Sequence, residues 1–149
     1  MERGNLASGT CPRIGIIWEG AIAVCTDTKR FAKLAAKQRF NEGLSYWQPV
    51  ELVVRKLLWL YHKKSVNLEV ITFLPIEDGD FEAELGLWLD RQGIPVYGIM
   101  QTTPEWLARQ IAYMPDLVKI YDPAPERWAM YGGKGEYLDK VEQLGAWNG

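Results

Sequence analysis

The feature that most constrains this chain is an alternation. Four short apolar runs, Ile14–Ile17, Leu68–Phe73, Pro95–Met100 and Leu117–Tyr121, are separated by longer stretches whose apolar residues recur at helical spacing. Runs of that length make strands. Crossovers of that length between strands give right-handed connections and a mainly parallel sheet with helices packed against it. The expected fold is therefore α/β, a three-layer Rossmann-like parallel sheet. A chain of 149 residues can bury one sizeable core, so a single domain over 13–149 is expected behind a flexible N-terminal arm, 1–12, that contains Gly4, Ser8, Gly9 and Pro12.

The helices have start and stop signals of their own. Thr28 to about Asn41, closed by Gly43, turns Phe31, Leu34 and Ala35 inward and Lys29, Arg30, Lys33, Lys37 and Arg39 outward. Such a basic side could bind phosphates, although the ordinary reading is a solvated helix face balanced by acids elsewhere. Leu44–Trp47 is a connection. Pro49 then opens a second helix with Glu51 in its first turn and Val50, Val53, Val54, Leu57, Leu58 and Tyr61 on a buried face. Asp80 caps a third, in which Phe81, Leu85, Trp88 and Leu89 share a face, and Gly93 ends it in the left-handed conformation. Thr103-Pro104-Glu105 starts a fourth, with Trp106, Leu107, Ile111 and Met114 as its apolar stripe. A short helix near Glu126–Met130, a glycine turn and one more helical turn about Leu138–Leu144 complete the expectation.

Composition enters through what it excludes. A formal net charge of −2 does not call for nucleic acid or an anionic membrane. No apolar run approaches the roughly 18–20 residues of a spanning helix. The first dozen residues have no apolar leader core, so a cytoplasmic protein is expected. Cys11 and Cys25 read as free thiols, and with His62 as the single histidine neither a Cys/His catalytic pair nor a zinc site is expected.

The chemistry concentrates where strands end. Trp18-Glu19-Gly20 follows the first run, Thr72 closes the second, and Asp122-Pro123 follows the last. Carboxyl ends of parallel strands lie together at one rim, so Glu19, Thr72 and Asp122 should share a crevice. Two carboxylates and a hydroxyl could hold magnesium; the commoner case is loop acids and a capping threonine.

This layout resembles the haloacid dehalogenase-like (HAD) phosphohydrolase superfamily over roughly Arg13 to Tyr131. It shares a strand ending in an acid-and-glycine motif, a second ending in threonine, a Gly93-Ile94-Pro95 strand and a strand ending in aspartate. The resemblance implies minimal or no cap domain and assigns positions. Gly20 takes the motif glycine and Glu19 the general acid/base. Thr72 takes the second-motif hydroxyl, Asp122 the acidic metal-binding motif, and Arg109 loosely the phosphate-steadying cation. The family's nucleophilic aspartate falls on Ile17. An isoleucine side chain has neither lone pair nor charge, so it can neither form an acyl-phosphate nor ligate a metal. The stretch Ile120–Trp128, I-Y-D-P-A-P-E-R-W, is similar to small HAD-like proteins of bacteriophages.

Two further features complete the sequence reading. Gly132-Gly133-Lys134-Gly135 has the residues of an anion nest but lacks P-loop spacing, and reads as an ordinary turn. Among seven tryptophans, Trp59, Trp88 and Trp106 are expected in the core. Trp18, Trp47, Trp128 and Trp147 are candidates for a partner surface, since tryptophan is enriched in interface hot spots. The expectation is a catalytically degenerate HAD-like binding or structural module, a component of a larger, viral assembly. It would contact a protein partner or its own copies, without cofactor or membrane. The alternative is a magnesium-dependent phosphatase or nucleotidase using Asp122, Glu19 and a metal-activated water; a third reading, less expected, is nucleic-acid binding through the helix carrying Lys29 to Arg39.

Overall fold

The computed structural model describes residues 11–75 and 80–136. The first ten residues of the expected arm, the helical turn about Leu138–Leu144 and Trp147 lie outside the described residues.

In chain order the elements are β1 (Arg13–Ile17), β2 (Ala23–Cys25), α1 (Thr28–Ala36), α2 (Phe40–Gly43), β3 (Trp47–Pro49), α3 (Glu51–Lys64), β4 (Asn67–Thr72) and α4 (Phe81–Arg91). They continue with β5 (Gly98–Gln101), α5 (Pro104–Gln110), β6 (Leu117–Tyr121) and β7 (Gly135–Glu136). Three 3-10 turns span Leu44–Tyr46, Ile111–Tyr113 and Pro125–Tyr131. The main sheet runs β5-β4-β1-β6-β7, and each neighbouring pair is parallel.

Strand alternation divides the interior in two. Ile14 and Ile16 of β1, with Leu68 and Val70 of β4, point to the face covered by α3 and α4 through Val53, Leu57, Leu60, Leu85 and Trp88. Ile17 and Ile71 point the other way, where Leu107 of α5 and Tyr131 cover them together with Leu117 and Ile120. Helices on both faces of a parallel sheet make the chain a Rossmann-like α/β fold, as the alternation predicts. In the β1–β6 pairing, Arg13 faces Leu117 but Ile14 faces Lys119. Val118 is the extra residue, which allows Leu117 and Ile120 to share one face although they are three positions apart.

The segment between β1 and α3 departs from expectation. β2 and β3 form an antiparallel pair, Ala23↔Pro49 to Cys25↔Trp47, with α1 and α2 between them. Pro49 therefore ends a strand, and α3 begins at Glu51. The first helix does not reach Asn41, because Gln38 adopts a left-handed φ of 59°. Arg39 N–H then donates to the Leu34 carbonyl and Gln38 N–H to the Ala35 carbonyl, the double closure of a Schellman turn. Further along, Thr103 Oγ1 accepts from Trp106 N–H, and Gly93 has a φ of 73°, both as the sequence predicts. Trp106 is 53% exposed and Tyr61 is also exposed, because each lies on the side of its helix turned away from the sheet. Cys11 and Cys25 are free thiols.

Candidate functional site

The rim of the sheet is built from three loops. After β1, the Trp18 carbonyl accepts from both Ile22 N–H (3.0 Å) and Ala23 N–H (2.9 Å), folding the chain into a tight turn. Gly20 makes the turn possible with a φ of 92°, and a Cβ there would lie 3.1 Å from Pro123 Cγ. The loops after β1 and β6 thus touch, and Glu19 is held at the end of β4.

Glu19 accepts at both oxygens. Thr72 Oγ1 donates to Oε1 at 2.8 Å, and Phe73 N–H donates to Oε2 at 2.8 Å. Thr72 is itself fully buried and accepts weakly from Leu74 N–H at 3.3 Å. Burial raises the Glu19 carboxyl above its ordinary range, against the opposing pull of these hydrogen bonds and of Arg127.

Asp122 is more fully engaged. It is 1% exposed, and Oδ1 accepts from Ala124 N–H at 2.8 Å and from Arg127 Nη2 at 2.7 Å. Oδ2 accepts from Arg127 Nε at 2.7 Å and from the Tyr131 hydroxyl at 2.6 Å. Four donors converge on two oxygens, filling the acceptor capacity of a carboxylate. The fork of Arg127 is a bidentate pair, the stronger class of charge-assisted contact. Its guanidinium also lies 5.0 Å from the Phe73 ring centroid, beside the strand end that binds Glu19. Desolvation and the bond to Asp122 push the Tyr131 hydroxyl far above its usual range, so it stays a donor.

The structure thus brings Glu19 and Thr72 into direct contact and places Asp122 with Arg127 at the next strand end. Ile17 is fully buried in the apolar cluster under α5 and contributes no polar atom. Arg109 is exposed on α5. The crevice cation is Arg127, which sequence reading did not single out. The signal was there: Pro125 starts a 3-10 turn that carries a residue five positions after Asp122 back onto it.

Magnesium, which the resemblance implies, does not fit this donor set. Ile17 supplies no oxygen, Asp122 is saturated by its own chain, and Glu19 has a donor on each oxygen. Among the described residues no group of three His, Cys, Asp or Glu side chains is placed to hold a metal ion.

Two of the tryptophan candidates, Trp18 and Trp47, are interior. Trp18 (0% exposed) and Trp47 (8%) stack with ring centroids 4.3 Å apart, and Trp88 meets Trp18 edge-on at 5.4 Å. Phe31 of α1 adds a further edge contact to Trp47 at 5.3 Å. This aromatic cluster fastens the β2–β3 excursion to the sheet, so Trp18 and Trp47 present nothing to a partner. Trp128 is half-buried and donates its indole N–H to the Asp122 carbonyl at 2.8 Å. The Gly132–Gly135 stretch is a turn into β7: Lys134 Nζ donates to the Met114 carbonyl, and its own carbonyl accepts from Ile120 N–H. No protein-family model matches the chain, and no curated protein is significantly similar to it.

Proposed function

We propose that the chain is a catalytically degenerate HAD-like domain that works by binding a protein partner, or further copies of itself, as a component of a larger assembly. The observation that carries the reading is the Asp122–Arg127 pair. In the HAD-like arrangement the acid after the last core strand faces a divalent cation. Here it faces a guanidinium that is covalently part of the chain and always charged. With Ile17 where the nucleophile belongs, the described part of the rim retains a carboxylate at Glu19 and a hydroxyl at Thr72 bonded to each other, and no side chain at the nucleophile position that could form an acyl-phosphate.

A binding role also has a surface. Trp106 (53% exposed) and Tyr113 (82%) stand seven residues apart on α5 and the 3-10 turn that continues it. Large exposed aromatics so placed suit an interface. The test of the chemistry is incubation with magnesium and generic phosphate esters. The expected rate equals the buffer blank, and hydrolysis that disappears in Glu19→Ala overturns the reading. The test of self-association is sedimentation over a concentration series, where a rising mass that reverts in Trp106→Ser/Tyr113→Ser is expected for self-assembly.

A further inference from the structure

A groove of about 590 Å³ lies between α1 and the 3-10 turn that precedes β3, with neither Glu19 nor Asp122 among its lining residues. Its walls include Arg30, Lys33, Lys37 and Arg39, with Glu42 as the one acid among the lining residues. Arg39 is neutralised there, since its Nε and Nη2 donate to the two Glu42 oxygens at 2.5 and 2.7 Å. Three cations remain on a single face of α1, in a chain whose formal net charge is −2.

The helix itself contains no acid: its nine residues are T-K-R-F-A-K-L-A-A. Asp27, the nearest, is the N-cap and accepts from Arg30 N–H at 3.0 Å. Lys29–Lys33, Arg30–Lys33 and Lys33–Lys37 are therefore like-charge neighbours, an arrangement that destabilises isolated helices. A solvated face usually intersperses acids to relieve such repulsion; this one does not. The left-handed Gln38 also matters, because the turn it makes brings Arg39 and Glu42 back to form the far wall.

We infer that this groove binds a single-stranded phosphodiester chain, that is, nucleic acid held through its backbone. Arg30, Lys33 and Lys37 step along the helix by about 4.5 and 6 Å at 1.5 Å per residue, so the charges are strung out instead of converging on one point. That arrangement suits successive phosphates better than a single anion. Tyr46 lines the same groove, its hydroxyl fixed by Arg30 Nε at 3.1 Å, and an aromatic ring among cations is the combination that single-strand binders use for stacking. The inference concerns a different segment from the Asp122 rim and stands whether or not that rim is inert.

The experiment is fluorescence anisotropy of a labelled oligothymidine with the full chain over a salt series, with inorganic pyrophosphate as competitor. With three neutralised phosphates, log K against log salt should have a slope of about −2, and Lys37→Ala should lower its magnitude to about 1.4. Lys33→Glu/Lys37→Glu should abolish binding, whereas the charge-matched Lys63→Glu/Arg91→Glu should retain most of it. Circular dichroism melts confirm that the variants fold. Absence of binding, binding indifferent to salt, or equal loss in both double variants overturns the inference. So does a groove that takes pyrophosphate and ignores the oligonucleotide.

Discussion

Replacing Arg127 with methionine keeps the volume and removes the fork. The Asp122 side chain is 0% exposed and would lose two of its four donors, retaining the Tyr131 hydroxyl and Ala124 N–H. Stripping one partner from a buried ion pair costs about 3–5 kcal/mol, and two surviving donors place this case near 3 kcal/mol. Asp122→Asn should cost less, about 2 kcal/mol, because Arg127 is 27% exposed and can turn to water. The double variant should cost less than the sum, with a coupling of about 2 kcal/mol. Urea unfolding followed by tryptophan emission reads these values directly. At a slope of about 2 kcal/mol per molar, Arg127→Met should lower the midpoint by about 1.5 M. A loss below about 1 kcal/mol, with additive effects in the double variant, would refute the reasoning, because Asp122 would then be a carboxylate that does not depend on its arginine.

Other consequences are smaller or conditional. Gln38→Gly should stabilise the chain by about 0.5–1 kcal/mol, since a side chain in the left-handed region costs about 1–2 kcal/mol and glycine gives back part of that as unfolded-state entropy; an unchanged midpoint contradicts it. Gly20→Ala should destabilise by about 2 kcal/mol through backbone strain and the approach to Pro123, and a neutral result would mean that the turn after β1 can relax. Glu19 supplies a pH test. Because burial holds its proton to higher pH in the folded chain, its contribution is full below the ordinary carboxylate range and is lost as pH rises through the raised value. The stability of the wild type relative to Glu19→Gln should therefore fall as pH rises above the ordinary carboxylate range, from about pH 4 upward. A difference that stays flat or grows argues that Glu19 is not desolvated.

Those core strands were legible because each is a short apolar run bounded by polar or turn-forming residues. Leu117–Tyr121 matches to the residue, and Leu68–Phe73 is displaced by one from β4. β5 starts three residues later than expected, since Pro95 has no N–H to give and Tyr97 is the first residue to donate to β4. The helix start at Pro104 was legible through its cap, Thr103. The β2–β3 pair was not, because three-residue strands carry no periodicity. The end of α1 was hidden for a different reason: glycine is the usual sign of a Schellman turn, and here glutamine occupies that place. At the rim, Glu19 and Thr72 were found from their positions at strand ends. Arg127 was missed because pairing across a 3-10 turn depends on where that turn points, which spacing along the chain does not reveal. Trp18 and Trp47 were misplaced because an aromatic side chain beside a loop can face either way, and the β2–β3 excursion folds them inward.

The central claim is that Asp122 already has its cation. Isothermal titration of the chain with magnesium tests it most directly. Only heats of dilution are expected up to millimolar concentrations, in the wild type and in Asp122→Asn alike. A saturable one-site isotherm in the wild type that vanishes in Asp122→Asn would contradict it.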